Sequence, residues 1–508
     1  MKNHPRLIAK ALCAAGLLST LALGVTHANT LQLSQEGAGE VLIFPYYTTR
    51  NGTLSFISLV NQTTSGKALR LRVRESIGGR SVAELNVFLS PKDVWTAALV
   101  PSGEGAAIIS NDKSCTFPAL SGSASGLVFS KANFVNDLPF TAPAPLDRLR
   151  EGTIEVIEMA TVSNLTALGR DIVHVSGVPA CKTVADASSA PVQSTLSAPS
   201  GGLVGSMSFI NVNDGLSVSY NATGINGFWK TGPGAPVPTI APVTAATPDL
   251  TSGANTTVTV TDEGSTYVST FARSIDAVSA LFMASTVNAE YGYTTDGIIS
   301  SNLVMAFPTK AYYVHATQPI FPTDPITATP PFQRPYNPDT SKACDDASLN
   351  STDREEFIGL TPDEFGVANP NRVPGPSWCG VTYVAGFSIV VNPDSNPAPQ
   401  PGPFNSPGIA ILKAVQNQGL PVVSVGKEGG QLSFRAINVN AVLIPISSSV
   451  LARSATTGEM SLTAAAHTYY GLPMLGFSLS IAKYNAGSPQ QNFATLYPMS
   501  TLRQISPR

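Results

Sequence analysis

Between Gly39 and Leu99, apolar and polar positions alternate in short runs of β type. Val41-Leu42-Ile43-Phe44 leads through Pro45-Tyr46-Tyr47 to Asn51-Gly52, a pair that favours positive φ and predicts a hairpin turn, and Leu54 to Val60 forms the next run. Leu69, Leu71 and Val73 then alternate with Arg70, Arg72 and Arg74, the period of two expected for a strand with one dry and one wet face. A further strand, Ala83 to Leu89, follows Gly78-Gly79. A three-residue loop Ile77-Gly78-Gly79 sets Leu71 opposite Leu85, Leu69 opposite Val87 and Val73 opposite Ala83, whereas a two-residue loop sets Leu71 against Asn86 and mixes the faces. The first register is expected. It places Arg72 beside Glu84 and Arg70 beside Asn86, as an exposed and partly neutralised stripe.

More strands are predicted at Thr153 to Met159, at Met207 to Val212 and Leu216 to Tyr220 around Asn213-Asp214-Gly215, at Leu303 to Phe307, and near Leu432, Val442 and Leu475. The spacing of Ile275, Val278, Leu281 and Phe282 predicts one helix over residues 274–289. Trp95 suits a core position. Pro-rich stretches 232–248, 319–338 and 392–407 read as linkers or long loops, and 183–202 as a further loop. The expected fold class is mainly β, with antiparallel, immunoglobulin-like sandwich domains. The division expected is a signal peptide at 1–28, an N-terminal sandwich at 29–231, a Pro-rich linker at 232–250, and a β-rich C-terminal domain at 251–508.

Lys2, Arg6 and Lys10 precede an apolar run from Ala11 to Val25 that ends at Thr26-His27-Ala28, the pattern of a cleaved secretory signal. About 15 apolar residues fall short of the roughly 20 that span a bilayer. No transmembrane segment is expected in the mature chain, and the expected location is secreted, at the cell surface or outside it, with the periplasm as alternative. Charged residues make up only 12% of the chain. Losing the leader leaves 27 of the 30 basic residues against 33 acidic ones, a net of −6, which gives no support for nucleic-acid binding. Four cysteines remain: Cys115, Cys181, Cys344 and Cys379. An even count in an exported chain predicts two disulfides with three possible connectivities, of which the sequence-local pairs Cys115–Cys181 and Cys344–Cys379 are preferred.

Four stretches carry a resemblance when taken in order: Gly39-Glu40-Val41-Leu42-Ile43-Phe44-Pro45-Tyr46-Tyr47-Thr48, Arg150 to Met159, Phe307-Pro308-Thr309-Lys310 with Tyr312-Tyr313-Val314, and Tyr470 to Phe477. Together they resemble a group of exported bacterial cell-surface proteins of unknown function. The resemblance implies a Gram-negative exported protein and brings no catalytic residue.

The chain holds no G-x-S-x-G elbow, Walker loop, H-E-x-x-H or EF-hand loop. His174, His315 and His467 are scattered and are expected to be neither catalytic nor metal-bound. Glu151, Glu155 and Glu158 crowd one strand. Glu151 and Glu155 share a face and offer the carboxylate pair of a polysaccharide hydrolase, but a wet sheet face beside Arg148 and Arg150 is the simpler expectation. Asp345, Asp346, Asp353 and Glu355 form an oxygen-rich segment between Cys344 and Cys379, a candidate calcium loop, with a solvated loop as the default. In the Tyr46-Tyr47, Tyr312-Tyr313 and Tyr469-Tyr470 doublets, neighbours on a strand face opposite ways, so one ring of each is a candidate for stacking on sugars or partners, with core and edge packing as the expectation. No cofactor is expected. The sequence favours a non-enzymatic structural or adhesive surface protein that self-associates or binds a cell-surface polymer. The alternatives are an extracellular hydrolase using Glu151 and Glu155, and a periplasmic binding module.

Overall fold

A run such as Val41-Leu42-Ile43-Phe44, apolar at successive positions, suits a strand covered on both faces. In the computed structural model it forms the strand Val41–Thr48, and all eight residues are buried. The structure describes residues 29–507 except 104, 135–145, 293–298, 315–327, 333, 336–342, 354–357, 360–376, 390–421, 426–428, 437–440, 454–459 and 484–491. The expected leader and the Pro-rich stretch 392–407 lie outside the described residues.

The chain is mainly β, with several antiparallel sheets and a few short helices. Its first half contributes β1 (Val41–Thr48), β2 (Thr53–Asn61), β3 (Gly66–Glu75), β4 (Ser81–Leu89), β5 (Val94–Ser102), β6 (Gly105–Ile109), β7 (Glu151–Val162), β8 (Leu203–Asn211), β9 (Leu216–Asn221) and β10 (Thr223–Asn226). A central sheet runs β10-β1-β7-β3-β4, and a second sheet runs β9-β8-β2-β5-β6. Leu42, Phe44, Leu71 and Val156 from the first sheet share one core with Ile57, Trp95, Leu99 and Phe209 from the second. This is a sandwich, and Trp95 is fully buried in it.

Asn51 and Gly52 take φ of 52° and 74° and close a tight turn, with the Thr53 N–H donating to Arg50 O at 2.8 Å. The turn does not make a hairpin within one sheet. Both edges of β1 are already taken by β7 and β10, so the chain crosses to the other sheet, where β2 pairs with β5 and β8. The β3–β4 register is the expected one through Val73 opposite Ala83, with Leu71 opposite Leu85 and Arg72 opposite Glu84. Near the tip it shifts to place Arg74 opposite Ser81. The loop is one residue longer than expected because the Glu75 carboxylate accepts the N–H groups of Ile77, Gly78 and Arg80 at 2.8–3.0 Å.

The second half contributes β11 (Thr257–Asp262), β12 (Ser265–Thr270), β13 (Thr286–Gly292), β14 (Ile299–Ala306), β15 (Thr382–Ile389), β16 (Ser447–Arg453), β17 (Met460–Ala464), β18 (Leu475–Lys483) and β19 (Asn492–Pro498). They build one sheet in the order β11-β12-β16-β17 and another containing β15-β14-β18-β19. The helix expected over 274–289 spans only Ser274–Ala280. Beyond it, Met283 and Ala284 pair with Pro473 and Leu472, and β13 pairs with Gly429–Ala436, so strand partners override the helical spacing.

The expected halves 29–231 and 251–508 are not separate in packing. Val41, Ile43, Ile157 and Ile225 join Leu250, Val278, Leu303, Phe307 and Tyr469 in one cluster, while Val304, Phe477, Leu479 and Ile481 enter the sandwich core. The central sheet is therefore covered on both faces. The expected linker at 232–250 is part of that cover: Ile240 and Ala241 pack with Ala68, Phe88 and Met159, and backbone carbonyls of the segment meet the arginines of β3.

Candidate functional site

Alternation along β3 sends Leu69, Leu71 and Val73 into the sandwich and Arg70, Arg72 and Arg74 to the opposite face. That face is dry. The three arginines are 0%, 3% and 8% exposed, which corrects the expectation of a wet stripe. Arg70 donates to Glu84 Oε2 at 2.7 Å and to the carbonyls of Ala241 and Pro242 at 2.9 and 2.7 Å. Arg72 donates through Nε and Nη2 to the same carboxylate at 3.0 and 3.2 Å, and to Ala246 O at 2.7 Å. Asn86 adds a bond to Ala241 O at 2.9 Å. A proline-rich strap offers carbonyls with few N–H groups, and guanidinium offers donors with no acceptor, so each satisfies what the other lacks.

The acidic segment of β7 is equally enclosed. Glu155 Oε1 accepts from Arg74 Nε at 2.6 Å, and Arg74 also donates to Gly79 O at 2.9 Å and to the Tyr312 hydroxyl at 2.6 Å. Burial, the largest single influence, would lower the Arg74 pKa, but the Glu155 carboxylate, Tyr312 and Asp249 together raise it. Glu151 Oε2 accepts from the Tyr46 hydroxyl at 2.8 Å and lies 3.5 Å from Arg50 Nε. Glu158 faces the other way, as alternation requires, and meets Lys67 Nζ at 2.7 Å with the N–H groups of Ser200 and Gly201 at 3.1 and 2.8 Å. Glu151, Glu155 and Glu158 are at most 2% exposed, so the wet-face reading is corrected. Glu151 and Glu155 go to separate cationic partners.

Two further groups escaped the sequence reading. Arg148 holds Glu75 through two bonds of 2.7 Å, both side chains fully buried. Burial pushes the Glu75 carboxyl upward, yet Arg148 and the loop N–H groups keep it below its ordinary value. Glu40 is raised to about 7 by burial, which outweighs the bond it accepts from the Trp229 N–H, and by the neighbouring Glu158 charge. The available signal was the choice of arginine: a guanidinium fork suits buried carboxylate and carbonyl acceptors better than a lysine does.

The other candidates are placed as follows. Asp345 is buried, and its carboxylate accepts from Lys310 Nζ at 2.8 Å, so it serves an ion pair instead of a calcium loop. The side chains of Asp346 and Asp353, and all of Glu355, lie outside the described residues. Among the described residues no group of three or more His, Cys, Asp or Glu is placed to hold a metal ion. His174 Nδ1 lies 3.8 Å from Asp93, and His467 packs edge-on against Tyr267; His315 is outside the described residues. Tyr46 and Tyr47 are both fully buried in the sandwich core, because the β1–β7 register shifts there and turns both rings inward. Tyr313 and Tyr469 are buried while Tyr312 and Tyr470 are partly exposed. Cys115 meets Cys181 with Cα atoms 5.5 Å apart, and Cys344 meets Cys379 at 4.0 Å, the sequence-local pairs.

An open cleft of about 280 Å³ lies where the β3–β4 loop meets Tyr312 and Asn133. Arg74 and the Tyr312 hydroxyl, which line it, already bond each other. No protein-family model matches the chain, and no curated protein or solved structure matches it.

Proposed function

We propose that the chain is an exported, non-enzymatic β protein with a structural or adhesive role at the cell surface or outside it. One observation carries this reading: Glu151, Glu155 and Glu158, the acidic residues best suited by sequence to acid–base chemistry, are bound to buried cations and backbone N–H groups and are not directed into a cleft. A general acid or base must reach the substrate proton it transfers, and these carboxylates are closed off from solvent. The two cysteine pairs fit an oxidising compartment, and no helix among the described residues is long and apolar enough to cross a membrane. The leader-like N-terminus and the resemblance to exported bacterial proteins point the same way.

The test is to express the full chain in a Gram-negative host, fractionate the cells and sequence the N-terminus of the product. The expected result is a chain beginning near Asn29, in the surface or extracellular fraction, with both disulfides formed. Retention in the cytoplasm with an intact leader and free thiols would overturn the proposal.

A further inference from the structure

The sheet β11-β12-β16-β17 is made largely of Ser, Thr and Val, and its two edges differ. On the β11 edge, Leu31 donates its N–H to Thr257 O at 2.9 Å and accepts from the Thr259 N–H at 2.8 Å, so that edge is covered by the N-terminal segment. On the other edge, all five residues of β17 are exposed, and no strand among the described residues pairs with its outer side. β17 reads Met460-Ser461-Leu462-Thr463-Ala464, without the charge or proline that blunts exposed edges.

Which backbone groups face outward follows from the ladder. Ala465 donates its N–H to Ser448 O at 3.0 Å, and β17 continues that register with Thr463 opposite Val450 and Ser461 opposite Ala452. Strand N–H and C=O groups alternate in direction, so those of Ser461 and Thr463 point to β16 and those of Met460, Leu462 and Ala464 point to the open side. An antiparallel copy of the same strand centred on Leu462 matches this set with itself. Met460 then faces Ala464 of the second copy and Leu462 faces its own counterpart, each as a hydrogen-bonded pair, giving about six inter-strand bonds. Ser461 faces Thr463 of the second copy. The side chains of Leu462 and Met460, 43% and 53% exposed, come together on one face of the joint.

We infer that β17 is a self-pairing edge, and that its partner is a second copy of this chain joined about a two-fold axis at Leu462. This rests on the structural or adhesive reading and supplies it with a partner. A joint about a two-fold axis uses the β17 edge of both copies, so the assembly closes as a dimer and does not grow into a filament. Five residues bury far less than the roughly 1,200 Å² of a stable interface, so the dimer is weak and forms at high concentration or where chains are concentrated on a surface.

The test combines sedimentation with cross-linking on the mature chain. At about 200 μM, L462C is expected to give a disulfide-linked dimer under mild oxidation, since Cα atoms of such a pair lie about 5.5 Å apart. T463C, displaced from the axis and on the other face, is expected to give none. L462P removes an outward N–H that the β16 ladder does not use, so it should fold like the wild type, as judged by circular dichroism, yet sediment as a monomer. Absence of the L462C dimer, or equal cross-linking by T463C, would overturn the inference. A wild-type chain that is monomeric at that concentration but reaches the cell surface would also overturn it, while leaving the proposed function standing.

Discussion

At the residue scale, Arg74 is a side chain whose loss should cost heavily. It holds Glu155, the β3–β4 loop and Tyr312 together at the buried wall of the open cleft. Arg74→Ala leaves a buried carboxylate without its cation, and a destabilisation of about 3–5 kcal/mol is expected in denaturant unfolding. Replacing Arg74 and Glu155 together by methionine should recover most of that loss, because the price of the pair is desolvation and no unpaired buried charge then remains. Additive losses in the double variant would contradict a structural role. Glu40 gives a test against pH. Its carboxyl is raised to about 7 in the folded chain, against 4.5 for an ordinary glutamate, so the folded state binds the proton more tightly. The stability this supplies is full below about pH 4.5, declines as pH rises to about 7 and is constant above that. Glu40→Gln should therefore raise stability at pH 8, by on the order of 3 kcal/mol at most, and match the wild type near pH 4.5. A thermal-unfolding series across pH checks it, and an equal effect at both ends would show that the proton is not involved.

At the element scale, the strap over residues 239–249 is the feature least visible beforehand. Arg70 ties it down through three carbonyls, Ala241, Pro242 and Val243. Arg70→Met should loosen it while leaving Arg72 as the remaining cation on Glu84. Charged hydrogen bonds of about 1.5–3 kcal/mol correspond to roughly a tenfold or greater rise in local opening, read as faster proteolysis between residues 232 and 250. An unchanged cleavage rate would mean that the arginine does not hold the strap. The strand register from Leu69 to Val87 was legible because an error of one residue turns every side chain to the wrong face. What covers the polar face was not legible. Arginine alternating with leucine looks the same whether the guanidinium meets water or a carbonyl, and a Pro-rich stretch shows that it adds no ladder, not where it packs. The residues after Ala280 were misread for a related reason: helical spacing over 274–289 records local pattern, whereas pairing of Met283 with Pro473 is set by distant partners. Of the candidate site, the separation of Glu158 from Glu155 followed from strand alternation, but burial of both did not.

At the scale of the whole molecule, the central sheet is a middle layer. The β8-β2-β5 side, with Val304, Phe477, Leu479 and Ile481, fills one face; the strap, the segment around Tyr312 and further residues of the second half fill the other. The β3–β4 loop is locked into that second half: Val381 and Thr382 donate their N–H groups to Ser76 O at 2.8 and 3.0 Å, and a Cβ at Gly79 would lie 2.8 Å from that of Ala311. Gly79 has φ of 69°, so substitution there would meet both backbone strain and a clash. Such shared cores leave neither half with a complete interior of its own, and a fragment covering 29–231 is expected to expose the apolar residues of β1 and β7 and to aggregate when expressed alone.

The acidic and basic residues of the central sheet fasten its cover and so make both halves one folded unit. Scanning calorimetry of the mature, disulfide-intact chain tests it most directly. One transition is predicted, with calorimetric and van't Hoff enthalpies in agreement, moving to lower temperature as a whole in Arg74→Ala. Two separable transitions, with only one of them shifted by Arg74→Ala, would contradict it.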